Sequence, residues 1–189
     1  MKIYIIDSSK EKLSYLESYF NGCEEVQCVC EDLHAFLSNN LVECVVSPAN
    51  SFGIMDGGYD LAITEYFGDQ LQERVQDFIL NNFYGEQPVG TSFIIDAGKD
   101  NRTLIHTPTM RTPQKIKDPL VVYQCMRSTL MCALRNNVQS ILIPMFGGGC
   151  GGVHPEVISE MMWRAYCQIS NPPERIDWKY VEQHEIPYN

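Results

Sequence analysis

The residues best suited to chemistry in this chain gather in two glycine-bearing loops. One is the run Ser140 to Pro155, S-I-L-I-P-M-F-G-G-G-C-G-G-V-H-P, where Gly147, Gly148, Gly149, Gly151 and Gly152 crowd between apolar Ile141 to Ile143 and a helix start at Pro155. The other follows Cys44 to Val46 and reads S-P-A-N-S-F-G-I-M-D-G-G-Y-D, with Gly57 and Gly58 close to Asn50, Tyr59 and Asp60. A strand, a glycine loop and a helix in succession form an anion-binding arrangement. Glycine lets a ligand approach the main chain, and the first N–H groups of a helix are unpaired at the positive end of its dipole. The plainer alternative is a flexible surface connection. An ordinary linker seldom sits between a strongly apolar strand and a well-started helix.

Other reactive groups have weaker patterns. Cys150 and His154 flank the glycines and form a nucleophile–base pair on paper, although no third, orienting group is evident. Ser51 lacks a glycine elbow. Cys23, Cys28, Cys30 and His34 lie near one another in sequence but without the C-x-x-C spacing of a structural zinc site. No metal is expected. Asp32 ends a short strand, where ligand-reading side chains gather in α/β sheets, and is equally a good helix cap. Arg111, in the polar run T-P-T-M-R-T-P, either contacts a phosphate or pairs with an acidic surface neighbour.

The elements that must position these residues alternate. Strands are expected at Lys2 to Ile6, Val26 to Cys30, Cys44 to Val46, Thr91 to Ile95, Thr103 to His106 and Ile141 to Ile143. Cys44 to Val46 is wholly apolar and so central. Ser8 and Glu11 form a capping box for a helix carrying Leu13, Leu16 and Phe20. Further helices are expected over Leu33 to Leu37, Leu61 to Phe67 and around Leu71 to Ile79, then from Asp118-Pro119 and from Pro155. The segment A-G-K-D-N-R reads as a hairpin turn, so the sheet is mixed rather than purely parallel. A three-layer α/β/α architecture follows from this alternation. From Asn171 the chain turns polar, with Pro172, Pro173 and Pro187, and Trp178 to Val181 is compatible with an edge strand or with a surface-packed segment.

With 189 residues, 44% hydrophobic and 20% charged, the chain reads as one globular domain, residues 1–189, with 171–189 as a polar C-terminal extension. A net charge of −10 disfavours direct binding of nucleic acid or an anionic membrane surface. It leaves a small anion possible, because a pocket of main-chain N–H groups needs no net positive charge. The chain starts in a strand-like run without a basic leader, and no apolar run approaches a membrane span, so a cytoplasmic protein with reduced cysteines is expected.

From about Val26 to Ile169, the order and spacing of these motifs resemble the macro domain, the family that binds ADP-ribose. Its Asn-Ala-Ala-Asn signature corresponds to Ser47-Pro48-Ala49-Asn50. Its glycine loop with Val-Asp-Gly-Ala-Ile corresponds to Gly57-Gly58-Tyr59-Asp60-Leu61-Ala62-Ile63. Leu104-Ile105-His106-Thr107 is similar to its strand ending Ile-His, and Ile143-Pro144 with the following glycines to its second phosphate loop. The resemblance implies a ligand, ADP-ribose or an ADP-ribosylated substrate, with no cofactor. It implies that Asp32 reads the adenine amino group and Asn50 the distal ribose. Gly57, Gly58 and the run Gly147, Gly148, Gly149, Cys150, Gly151 and Gly152 would hold the diphosphate, near the Pro155 helix start. Phe146, Val153 or Tyr59 would flank a ribose or the adenine. Asp60 falls where the MacroD-type hydrolases carry an aspartate that helps water attack the anomeric carbon, but Tyr59 and Leu61 replace the flanking Val and Gly, and Thr64 replaces a His. The implied function is hydrolysis of an ADP-ribosyl linkage or of ADP-ribose 1″-phosphate, with Asn50 and Asp60 catalytic, or else non-catalytic ADP-ribose reading. A Rossmann-type nucleotide site is opposed by Asp7-Ser8-Ser9, which is no glycine-rich turn.

Overall fold

The computed structural model describes residues 1–186, and Pro187 lies outside the described residues. The first half of the chain runs β1 (Lys2–Ile6), α1 (Lys10–Tyr19), β2 (Val26–Val29), α2 (Leu33–Asn39), β3 (Cys44–Ser47), α3 (Gly58–Phe67) and α4 (Gln70–Phe83). The second half runs β4 (Phe93–Asp96), β5 (Thr103–His106), α5 (Leu120–Arg135), β6 (Ser140–Pro144), α6 (Pro155–Ser170) and α7 (Trp178–Gln183).

The strands form one sheet in the order β2-β1-β6-β3-β5-β4. All neighbours are parallel except the β4–β5 hairpin, which is antiparallel, as the A-G-K-D-N-R turn implies. Side chains alternate across the sheet with a period of two. Ile3, Ile5, Cys44, Val46, Ile105, Ile141 and Ile143 face α1, α5 and α6, while Tyr4, Ile6, Val45, Leu104 and Leu142 face α2, α3 and α4. Both faces are covered, so the central strands read as continuous apolar runs. The result is a three-layer α/β/α fold with a mixed sheet.

Two local expectations are corrected and one open alternative is decided. Ser9 rather than Ser8 caps α1, accepting from Lys12 N at 3.3 Å, because Asp7 Oδ1 takes the Ser9 N–H and turns the chain one residue later. Helix α3 starts at Gly58, three residues before Leu61, since a φ of +56° at Gly58 admits the chain directly into the first turn. The alternative left open at Trp178 to Val181 is decided for a surface-packed segment, a short helix: Asp177 accepts from Tyr180 N, and the Tyr180 hydroxyl accepts from Gln168 of α6.

One buried charge fixes the helix that carries Asp32. Arg102, on the hairpin, donates to the carbonyls of Leu37, Asn40 and Val42 at 2.8, 2.9 and 3.1 Å. Leu37 and Asn40 are at the end of α2, at the negative pole of its dipole, and Val42 leads into β3. Clamping that end leaves the N-terminal end of α2, beside β2, in a fixed place.

Candidate functional site

Parallel strands β1, β6 and β3 end at the same edge of the sheet, and the loops leaving them enclose a crevice of about 570 Å³. That size suits a nucleotide-sized ligand. It lies outside the carboxyl ends of the strands, where loops from neighbouring βα units diverge. Asp32 stands at its rim. Its Oδ1 accepts from His34 N and Ala35 N, capping α2, so its other carboxylate oxygen is not used by the cap.

The loop after β3 is held by side chains. Asn50 accepts from Phe52 N and Ile54 N on Oδ1 and donates from Nδ2 to the Ile54 carbonyl at 2.8 Å. That leaves one Nδ2 hydrogen for a ligand. Gln72 of α4 accepts from Met55 N at 2.7 Å and anchors the far end of the loop. Asp60, in the first turn of α3, accepts from the Ser47 hydroxyl at 2.6 Å. Burial pushes its carboxyl up to about 7, while Ser47 and the Ala49 main chain pull in the opposite direction. Tyr59 packs on the core between the sheet and α2–α4; its hydroxyl is buried without a partner, and burial raises its pKa. No side chain caps α3, so its first N–H groups stay unpaired beside the crevice.

The loop after β6 is held by the main chain. Gly148 N donates to Met145 O, Gly152 N to Gly149 O and Val153 N to Gly147 O. The N–H groups of Gly149, Cys150 and Gly151 make no such bond among the described residues, and these three residues line the crevice. Consecutive unpaired N–H groups of this kind form an anion-binding concavity. The glycines also admit a neighbouring segment: a Cβ at Gly151 would stand 2.6 Å from Ile116 Cδ1 and 2.8 Å from the Gly147 carbonyl.

The sequence model of the Macro domain family matches residues 46–162, which includes both loops. The chain belongs to the macro domain family. An uncharacterised protein of Aquifex aeolicus (strain VF5) is 31% identical over 121 residues, 64% of this chain and 70% of that protein. Among solved structures, a mutant of the Oceanobacillus iheyensis macrodomain with ADPR superposes with a TM-score of 0.61 at 22% identity, covering 68% of this chain and 71% of that one. The macrodomain of Mycobacterium tuberculosis DarG gives 0.58 at 20% identity, covering 68% and 83%. At such identities these likenesses speak to the fold.

This macro domain brings Asp32, Asn50, Gly57, Gly58, Tyr59, Asp60, Gly147, Gly149, Cys150 and Gly151 to one crevice. Four expected residues do not line it. Phe146 is fully buried in the core, because the chain leaving β6 points that ring inward toward α5 and α6. Gly148 and Gly152 spend their N–H groups within the loop, and Val153 packs against the same core as Phe146. The α6 start also lies off the crevice wall, its Glu156 N–H bonded to His154 Nδ1 at 3.3 Å. That bond engages His154 as a cap, and among the described residues no hydrogen bond joins it to Cys150, which is exposed. Arg111 forms a two-pronged ion pair with Glu86, at 2.7 and 2.9 Å.

His106, the end of the Ile-His motif, is a core residue. Its Nδ1 bonds Gln87 Oε1 at 2.6 Å and burial lowers its pKa to about 3, so the ring is neutral. It pairs in register with Ser47 and packs against Phe93. Sequence reasoning gave Ser47 no role, although it stands first in the matched signature and bonds Asp60. Asp7 and Lys12 on the β1 side of the crevice, paired at 3.5 Å, also carried no recognisable motif.

Proposed function

We propose that the crevice binds ADP-ribose or a derivative and hydrolyses an ADP-ribosyl linkage or ADP-ribose 1″-phosphate. The observation that carries this reading is the pairing of two sets of unpaired main-chain N–H groups, Gly149 to Gly151 and the first turn of α3, on one crevice that also holds Asp60. The two sets suit a diphosphate held without a metal. Asp32 then takes the adenine amino group with the carboxylate oxygen left over from the cap. Asn50 presents its remaining N–H to the distal ribose while fixing the loop that carries Met55 to Asp60.

Asp60 is the general base in this scheme. A carboxyl titrating at about 7 is half ionised at neutral pH, and ionised it takes a proton from a water aimed at the anomeric region. Ser47 holds Oδ1, and in this scheme Oδ2 takes the proton.

A second reading, a non-catalytic ADP-ribose module, is favoured by Thr64. Its hydroxyl donates to Leu61 O at 2.9 Å within its own helix and it does not line the crevice, so it supplies no second proton-transfer group. Incubation with ADP-ribosylated protein, ADP-ribosylated nucleic acid and ADP-ribose 1″-phosphate separates the two. Release of ADP-ribose from any of them supports the hydrolase; calorimetric ADP-ribose binding with no turnover of the panel leaves the reader. Absence of binding at millimolar ADP-ribose sinks both.

A further inference from the structure

A strap crosses the glycine loop. Residues 111–118 form the middle of the 107–119 connection from β5 to α5, and Ile116 N donates to the Gly151 carbonyl at 2.9 Å. The Ile116 side chain occupies the space that Cβ atoms at Gly147 and Gly151 would need, at 3.1 and 2.6 Å. Lys115 beside it reaches over Gly152, where a Cβ would stand 2.6 Å from Nζ and 3.0 Å from Cδ. The backbone bond at Ile116 therefore places an ammonium group against Gly152, off the crevice wall and one residue beyond the unpaired N–H groups of Gly149 to Gly151. Among the described residues Lys115 has no carboxylate partner.

The crevice is otherwise poor in positive charge. Asp7, Glu31, Asp32, Asp56 and Asp60 line it against one cation, Lys12, which is already paired with Asp7. An anionic ligand entering such walls meets like charge, and N–H dipoles alone must offset it.

We infer that Lys115 is a ligand-binding cation, carried over the glycine loop by the strap, that pairs with the diphosphate seated on Gly149 to Gly151. The inference rests on the reading that the crevice takes ADP-ribose. It assigns the glycines at 151 and 152 a second purpose: without side chains they let Ile116 and Lys115 lie against the loop.

Calorimetry with ADP-ribose at low and high salt, on the wild type, Lys115→Met and Lys115→Arg, tests it. Methionine keeps an apolar stem against Gly152 and removes only the charge. Lys115→Met is expected to weaken ADP-ribose binding about tenfold at low salt, the size of one charge-assisted contact. The difference should shrink as salt rises, and Lys115→Arg should recover most of the loss. Equal affinity of wild type and Lys115→Met overturns the inference and leaves the crevice assignment standing. A loss that salt does not diminish and arginine does not restore also overturns it, marking a packing role. A wild type without ADP-ribose affinity overturns the crevice reading itself, and this inference with it.

Discussion

The two loops that wall the crevice are built by opposite means. The loop after β3 is pinned by polar side chains, Asn50, Gln72 and Thr64, and carries the ionisable group with the raised pKa, Asp60. The loop after β6 is pinned by its own carbonyls and by Ile116 above it, and offers the ligand main-chain N–H groups. Side-chain bonds hold a carboxyl at one position and tune its proton affinity. Main-chain turns leave a row of donors that cannot titrate. The first loop is suited to chemistry and the second to holding charge, and substitutions in the two should fail differently.

The largest effect is expected from Asp60→Asn, which preserves shape and the Ser47 contact. Turnover should fall at least about a hundredfold, the ordinary contribution of a general base, with ADP-ribose affinity nearly unchanged. In the wild type the rate should rise with pH through about 7 and then level off. Stability runs the other way. The carboxyl titrates near 3.8 when unfolded and at about 7 when folded, so between these values the folded state binds more protons and stability falls as pH rises. At pH 8, Asp60→Asn should therefore be more stable than wild type by roughly 2 to 4 kcal/mol in urea unfolding. A lower stability at pH 8 would break the view that burial raises this pKa.

Asn50→Ala comes next and tests the side-chain pinning. It removes the bonds to Phe52, Ile54 and the Ile54 carbonyl, so unfolding free energy should drop by about 2 kcal/mol and ADP-ribose binding should weaken with it. Retained stability with lost binding would show that Asn50 acts on the ligand alone.

The smallest effects separate glycines within the second loop. Gly151→Ala drives a Cβ into Ile116 and the Gly147 carbonyl, which must displace the strap or the cradle. ADP-ribose affinity should fall about tenfold, the equivalent of roughly 1.4 kcal/mol. Gly149→Ala meets nothing within 4 Å, and titration should find its affinity close to wild type. Equal losses at both positions would mean that the ligand, not the strap, demands glycine.

Much of the fold was legible because its signals are local. The apolar strands, the capping residues around Pro119 and Pro155 and the hairpin turn each sit within a few residues of what they dictate. The errors were local too: at Ser9 and Gly58 a single side-chain bond or a single positive φ moved a boundary. At Trp178, where composition left strand and surface segment open, a cap at Asp177 and a bond to Gln168 made a short helix. At the site, the two glycine loops, Asp32, Asn50 and Asp60 were readable from type and order. Phe146 was misplaced because an aromatic beside a glycine loop reads alike whether it faces a ligand or the core.

By itself, the sequence determined the alternation of elements, the two glycine loops and the family they resemble, since each depends on short-range periodicity and spacing. Tertiary structure alone decided which glycines face the crevice, that Ser47 holds Asp60, that Arg111 is spent on Glu86 and that Lys115 lies over Gly152. Those facts depend on contacts between segments far apart in the chain. Burial, which sets the proton affinity of Asp60, exists only after the sheet and the helices have packed around it.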